Sequence, residues 1–192
     1  MLKPEIRILG FDDGPFISRT KGTVPVVGVI YRGGNYPDGF LKTEVEIDGT
    51  DATEKIVKLI NTSRHKQQLK VLMFDGVTLG GFNVIDALEM NKKTGLPVII
   101  INRKKPNLKK VKLALENFGD AETRWAKISN AGKIKECKLS GQKVYYQSIG
   151  MSEREAEEAI ILSTTHSFIP EPLRVAHLIA TAVVKGESEG RA

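Results

Sequence analysis

At 192 residues with 41% hydrophobic side chains, the chain is long enough to bury an ordinary core, and its single cysteine, Cys137, excludes an intramolecular disulfide or a zinc site built on thiolates. Its histidines, His65, His166 and His177, lack zinc-ligand spacing, and no apolar run approaches the roughly 20 residues that cross a bilayer. A formal charge of +6 admits nucleic acid or another polyanion as partner without requiring one, and a soluble, cytoplasmic chain is expected.

Residues 6–12, IRILGFD, read as a first strand that Asp12-Asp13-Gly14-Pro15 breaks. Residues 23–31, TVPVVGVIY, form a second strand hairpinned to the first, with Pro25 pointing to an edge or strand-start position. In residues 40–48, FLKTEVEID, Leu41, Thr43, Val45 and Ile47 alternate with Lys42, Glu44, Glu46 and Asp48, the pattern of a half-buried third strand. After Gly49 a helix is expected over 51–62, with Ala52, Ile56, Leu59 and Ile60 on one face. Asp51 is placed to cap it, and Glu54 stands at capping-box spacing.

Residues 71–86, VLMFDGVTLGGFNVID, carry the most information. Val71, Leu72, Met73 and Phe74 suit a central strand, and Asp75-Gly76 ends it at the edge where open α/β sheets collect ligands, although Asp-Gly is also a common turn pair. Phe82, Ile85 and Leu88 recur at helical spacing with Gly95 as a stop, and residues 96–102, LPVIIIN, are again apolar throughout. This strand–helix–strand unit implies parallel neighbours around Asp75.

Pro106 opens a further helix with Leu108, Val111, Leu115 and Phe118 inward and Gly119 at its end. Arg103, Lys104, Lys105, Lys109, Lys110 and Lys112 crowd its start, as either a solvated face or a phosphate-facing patch. Residues 133–149 read as an exposed hairpin around Ser140-Gly141, whose Tyr145 and Tyr146 either pack or stack on bases. Ser152 and Glu155 form a capping box for a helix to Ser163, and a final, largely apolar helix follows Pro170-Glu171-Pro172. Its polar stripe of Arg174, His177 and Thr181 fits either a functional edge or, the favoured reading, simple surface exposure, and the polar tail, residues 186–192, is read as disordered beyond a single domain of 1–185.

If the first and fourth strands are parallel neighbours, Asp12 and Asp75 lie side by side, and Asp48 or Glu46 reaches the same spot from the antiparallel side. Clustered carboxylates resist joint ionisation, and Mg²⁺ or Mn²⁺ removes the conflict. Two such cations about 3.5–4 Å apart serve phosphodiester cleavage. Gly76, Gly80 and Gly81 would let a nucleic-acid backbone approach. There is no GxGxxG or GxxxxGK loop, and Cys137, between Glu136 and Lys138, has no evident base.

The segments EIDGTDATEKI, VLMFDGVTLGGFNVID and TGLPVIIINRKKP resemble the archaeal domain-of-unknown-function family ninety-nine, which carries the proposed name endonuclease dU. That family is distantly similar to endonuclease V, a metal-dependent enzyme that cleaves near deaminated bases. The resemblance implies an RNase H-like mixed sheet of about five core strands, antiparallel 1-2-3 and parallel 1-4-5, with helices on both faces and an extra hairpin. LGFDDGPF and MFDGVT match the endonuclease V aspartate motifs, which puts metal-binding, catalytic acids at Asp12 and Asp75, and PEPLRVAHLIA resembles its closing helix. Asp48 matches the third acid, with Glu46, Asp51 and Asp13 as neighbouring alternatives. A lysine beside the base corresponds to Arg103 or Lys104, and Gly150-Met151 replaces a glycine-histidine pair, so altered lesion choice is expected.

The expected function is thus a Mg²⁺- or Mn²⁺-dependent endonuclease acting near deoxyuridine, with deoxyinosine second, on DNA or alternatively RNA. Arg103, Lys104, Lys105, Lys109, Lys110, Gly76 and Gly80 would contact the nucleic acid. A non-catalytic nucleic-acid-binding protein on the same fold and a hydrolase of a small phosphorylated ligand remain the alternatives.

Overall fold

The computed structural model describes residues 2–188. Strands β1 (Arg7–Asp13), β2 (Thr23–Arg32) and β3 (Tyr36–Glu46) form an antiparallel meander. Helix α1 (Ala52–Thr62) then leads to β4 (Leu69–Asp75), which pairs with β1 in parallel. The two-residue strands β5 (Thr78–Leu79) and β6 (Asn83–Val84) make a small separate hairpin before α2 (Ala87–Thr94) and β7 (Val98–Asn102), the parallel neighbour of β4. Helices α3 (Leu108–Leu115) and α4 (Ala121–Asn130) follow, then β8 (Lys135–Leu139), β9 (Gln142–Ile149), α5 (Glu153–Ser163) and α6 (Glu171–Lys185).

The main sheet runs β3-β2-β1-β4-β7-β9-β8. It therefore has seven strands rather than about five. The hairpin β8–β9, expected as an exposed appendage, is part of it, because β9 pairs antiparallel with β7 from Val98 opposite Ile149 to Asn102 opposite Tyr145. Tyr146 is consequently a core residue, fully buried with its hydroxyl 3.3 Å from Glu157, and is not available to stack on a base.

Strand parity divides the core in two. Leu9, Phe11, Leu72, Phe74 and Ile100 point to a first face beneath α1 and α2, while Ile8, Val71, Met73, Ile99 and Ile101 point to a second face beneath α5 and α6. Central strands buried on both faces explain the uninterrupted apolar runs of β4 and β7. Pro25 sits in an interior strand but at its start, where its carbonyl accepts Gly14 N at 2.9 Å.

Several local expectations change. Phe82 and Ile85 precede α2 instead of belonging to it, because Gly80 and Gly81 (φ +56° and +88°) turn the chain into the small hairpin and Asp86 then caps α2 through Glu89 N at 2.8 Å. Asp51 does not cap α1; Asn83 Oδ1 accepts Ala52 N at 3.1 Å in its place, and the Asp51 carboxylate is held by Asn83, Lys55 and Glu46 N. The helix after Pro106 ends at Leu115, leaving Phe118 in a turn and Leu108 exposed, and α4 was not expected. The capping box of Ser152 and Glu155 forms as read. Gly186 caps α6 in the left-handed region, and residues 189–192 of the expected disordered tail lie outside the described residues. Among the described residues no helix is long and apolar enough to cross a membrane.

Helix α6 crosses β1 at Gly10, where a Cβ would stand 2.7 Å from the Pro172 carbonyl carbon. Only glycine permits this approach, so Gly10→Ala should cost about 1–3 kcal/mol of stability by overpacking, read as a lower urea midpoint at unchanged slope.

Candidate active site

The parallel register sets Phe11 opposite Phe74, and their rings stack on the first face with centroids 5.2 Å apart. The next residue on each strand is an aspartate. Asp12 and Asp75 therefore emerge side by side on the second face, at the carboxyl ends of neighbouring strands. Burial pushes the Asp75 carboxyl above its ordinary range, and the adjacent Asp12 carboxylate pushes it further.

Two basic side chains from distant segments answer this pair. His177 on α6 places Nδ1 2.8 Å from Asp12 Oδ2, and this hydrogen bond raises the imidazole pKa against the opposing effect of burial. Arg103, just beyond β7, holds its guanidinium 3.4 Å from Asp75 Oδ2. His177 belongs to the stripe that was read as surface exposure; in the structure it faces an acid, and Thr181 is buried. Arg174 turns to the fully buried Glu171, with Nη2 2.6 Å from Oε2.

Asp13 points to the opposite face, as parity requires. Its Oδ2 accepts Gly80 N at 3.0 Å, and burial followed by repulsion from Asp12 raises its pKa to about 6. Gly80 is itself buried, and a Cβ there would meet Val24 at 2.9 Å, so it is not open to a nucleic-acid backbone. Gly76, in contrast, has open space around it, with φ +86° and its amide bonded to Ile101 O at 2.8 Å.

Asp48 lies with Asp13 and Gly80. It sits two residues beyond β3 in the left-handed region (φ +55°), gives its amide to Gly80 O at 2.7 Å and accepts Phe82 N at 2.8 Å. Among the described residues no group of three or more His, Cys, Asp or Glu is placed to hold a metal ion; Asp12 and Asp75 lie together, while Asp48 makes its hydrogen bonds with Gly80 and Phe82. Glu46 is exposed, and Asp51 is tied to Asn83 and Lys55. Lys104, Lys105, Lys109 and Lys110 are exposed, and Lys112 lies over the Trp125 ring.

The clamp on the Asp48 turn was missed by sequence reasoning. Arg124 is buried against Phe118, pairs with Asp120 at 2.7 Å, and donates to the carbonyls of Asp48 (3.0 Å), Gly49 (3.1 Å) and Phe82. Asp120 and Arg124 at i,i+4 spacing were the available signal, but the pair falls in a segment to which no element had been assigned.

The described family Endonuclease dU matches residues 4–184 of this chain. The chain belongs to that family. A UPF0215 protein of Methanothermobacter thermautotrophicus is 49% identical over 192 residues, covering 100% of this chain and 94% of that protein. A crystal structure of a protein of unknown function from Archaeoglobus fulgidus superposes with a TM-score of 0.85 at 37% identity, covering 94% and 99% of the two chains. Endonuclease V of Ciona intestinalis, crystallised with a 24mer DNA containing an inosine followed by a ribo-adenosine, matches with a TM-score of 0.62 at 13% identity, covering 95% of this chain and 87% of that one. The chain thus has the RNase H-like fold that endonuclease V also has.

Because the folded pKa of Asp13 lies above its unfolded value, this group favours the native state below about pH 4, and that contribution is lost as pH rises through about 6. In EDTA, Asp13→Asn should therefore raise stability at pH 7.5 by up to about 3 kcal/mol, a gain that shrinks toward zero near pH 4. Paired urea titrations at the two pH values check the sign.

Proposed function

We propose that this chain is a divalent-metal-dependent endonuclease that hydrolyses a phosphodiester in DNA near a deaminated base, deoxyuridine first and deoxyinosine second, with residues 1–185 acting as one domain. The observation that carries this reading is the Asp12–Asp75 pair at the carboxyl edge of β1 and β4, balanced by His177 and Arg103. The family description supports endonuclease chemistry and the base, and the inosine-containing DNA bound to the Ciona neighbour supports DNA as the polymer.

The donor set fits Mg²⁺ or Mn²⁺. Two neighbouring carboxylates, one with a raised pKa, are the hard oxygen ligands that Mg²⁺ takes one or two at a time, with water and phosphate oxygens completing its shell. Asp12 and Asp75 would hold the cation, which when bound supplies an activated water and charge stabilisation at the phosphorus. Asp48 supports the site from the other face by fixing Phe82 and the turn after β3.

The protein's own groups divide the remaining work. His177 holds the Asp12 carboxylate in place through the 2.8 Å contact of its Nδ1 with Oδ2. Arg103 is the cation nearest Asp75 and can exchange that carboxylate for a phosphate oxygen, since guanidinium donors suit both. Gly76 leaves room beside the acids for the sugar–phosphate backbone.

Purified protein should nick a duplex carrying one deoxyuridine in Mg²⁺ or Mn²⁺ and leave the undamaged duplex intact. Asp75→Asn and Asp12→Asn should each lower the rate about a hundredfold or more, in line with a loss of several kcal/mol of charge stabilisation, and EDTA should abolish it. Equal nicking by Asp75→Asn, or no nicking of deoxyuridine, deoxyinosine or undamaged strands in either metal, would refute the proposal.

A further inference from the structure

Beyond Arg103 the second face continues into a groove that the acids do not occupy. One hollow of about 250 Å³ is bordered by Arg103, Gln142, Lys143 and Phe168. A second, of about 430 Å³, is bordered by Lys138, His166 and again Phe168. The two share Ser167 and Phe168, so the Phe168 ring forms the ridge between them. Among the described residues Arg103, Lys143 and Lys138 border the hollows, and Lys143 Nζ also pairs with Glu136 Oε2 at 2.9 Å and lies over the Tyr145 ring.

Phe168 is 64% exposed, yet the loop that carries it is tightly held. Gln142 Nε2 donates to the Phe168 carbonyl at 2.8 Å, Ser167 Oγ accepts Ile169 N at 3.3 Å, and Ile169 is buried in the second-face core. On the near side, Thr165 Oγ1 donates to Gly34 O at 3.0 Å and His166 N to Glu171 Oε1 at 3.1 Å. A large apolar ring thus stands in solvent on a fixed backbone.

We infer that this groove is a single-stranded DNA track that continues from the Asp12–Asp75 pair across Arg103, with bases stacking on either side of Phe168 and phosphates meeting Arg103, Lys143 and Lys138. The inference rests on the nuclease reading for its direction from the acids, and on the groove itself for its occupant. An aromatic ridge between two hollows bordered by cations suits stacked bases with a charged backbone, because every base offers a π-face. The exposed apolar patch on α3 lacks that layout: Leu113 is equally exposed at 64%, but the one aromatic ring in its hollow, Trp125, already lies beneath Lys112.

The test measures fluorescence anisotropy of a labelled single-stranded oligothymidine with the full chain in EDTA, comparing wild type, Phe168→Ala, Phe168→Trp and the exposure-matched Leu113→Ala. Phe168→Ala should weaken binding about tenfold, Phe168→Trp should retain it, and Leu113→Ala should leave it unchanged. Unchanged affinity in Phe168→Ala, a loss confined to Leu113→Ala, or no binding by wild type would each overturn the track. Nicking by the same proteins is scored separately. Wild-type nicking with unaltered Phe168→Ala binding would sink the track alone, and binding that depends on Phe168 without any nicking would sink the nuclease reading while keeping the groove.

Discussion

Two carboxylates on adjacent parallel strands are the constraint to which the rest of the molecule answers. At the strand spacing of about 4.8 Å and an effective dielectric near 20, their repulsion is on the order of 3 kcal/mol, a large share of an ordinary domain's stability. The stacked Phe11 and Phe74 hold the strand ends in register, so the acids cannot relax by slipping. Relief comes from basic side chains, and both come from far along the chain: His177 from the closing helix and Arg103 from just beyond β7. For His177 to reach Asp12, α6 must lie almost on the β1 backbone, which is why Gly10 stands opposite Pro172. A single choice of charge thus dictates a helix-packing distance and a glycine.

The sheet edge has two sides, and consecutive acids fall on different ones. Asp12 faces α6, while Asp13 turns to Gly80 and joins the group around Asp48, Asn83 and Arg124. This second group is structural in its chemistry. Asp48 and Asn83 satisfy backbone amides, and Arg124 gathers the carbonyls of the turn after β3 and of Phe82, groups that would otherwise be left without partners at the edge of the core. Its rigidity still matters to the acids, because the small hairpin it secures is the continuation of the chain immediately after Asp75.

What the sequence disclosed follows the same division. β1, β4 and β7 were legible because strands buried on both faces leave continuous apolar runs, and the acid at the end of β4 was legible with them. The strand order was legible from those runs, and its RNase H-like character from the resemblance that the quoted motifs carry. Pairing of the late hairpin was not, since alternation specifies a face but not the neighbouring strand. Phe82, Ile85 and Leu88 mimicked a helix because glycine-driven turns can place apolar residues at the same spacing. Asp51 resembled a cap, yet Asn83, 31 positions away in the chain from Ala52, took that role. His177 looked like a surface residue because a half-apolar helix does not reveal which neighbour its polar side meets.

Charge counting alone would choose the lysine-rich start of α3 as the place where a polyanion rests, since Lys104, Lys105, Lys109 and Lys110 are all exposed there. Parity argues for a different direction. Asp12, Asp75 and Arg103 lie in succession on the second face, and the antiparallel addition of β9 extends that face with Val144 and the hairpin tip. α3 instead packs through Val111 and Leu115 against Val84 of the small hairpin, on the side where Asp13 and Asp48 point. On the proposed path a backbone that meets Arg103 stays on this face, whereas α3 packs on the other. The late hairpin therefore does more than cover an exposed edge of β7: it supplies the floor on which a strand leaving the acid pair can continue.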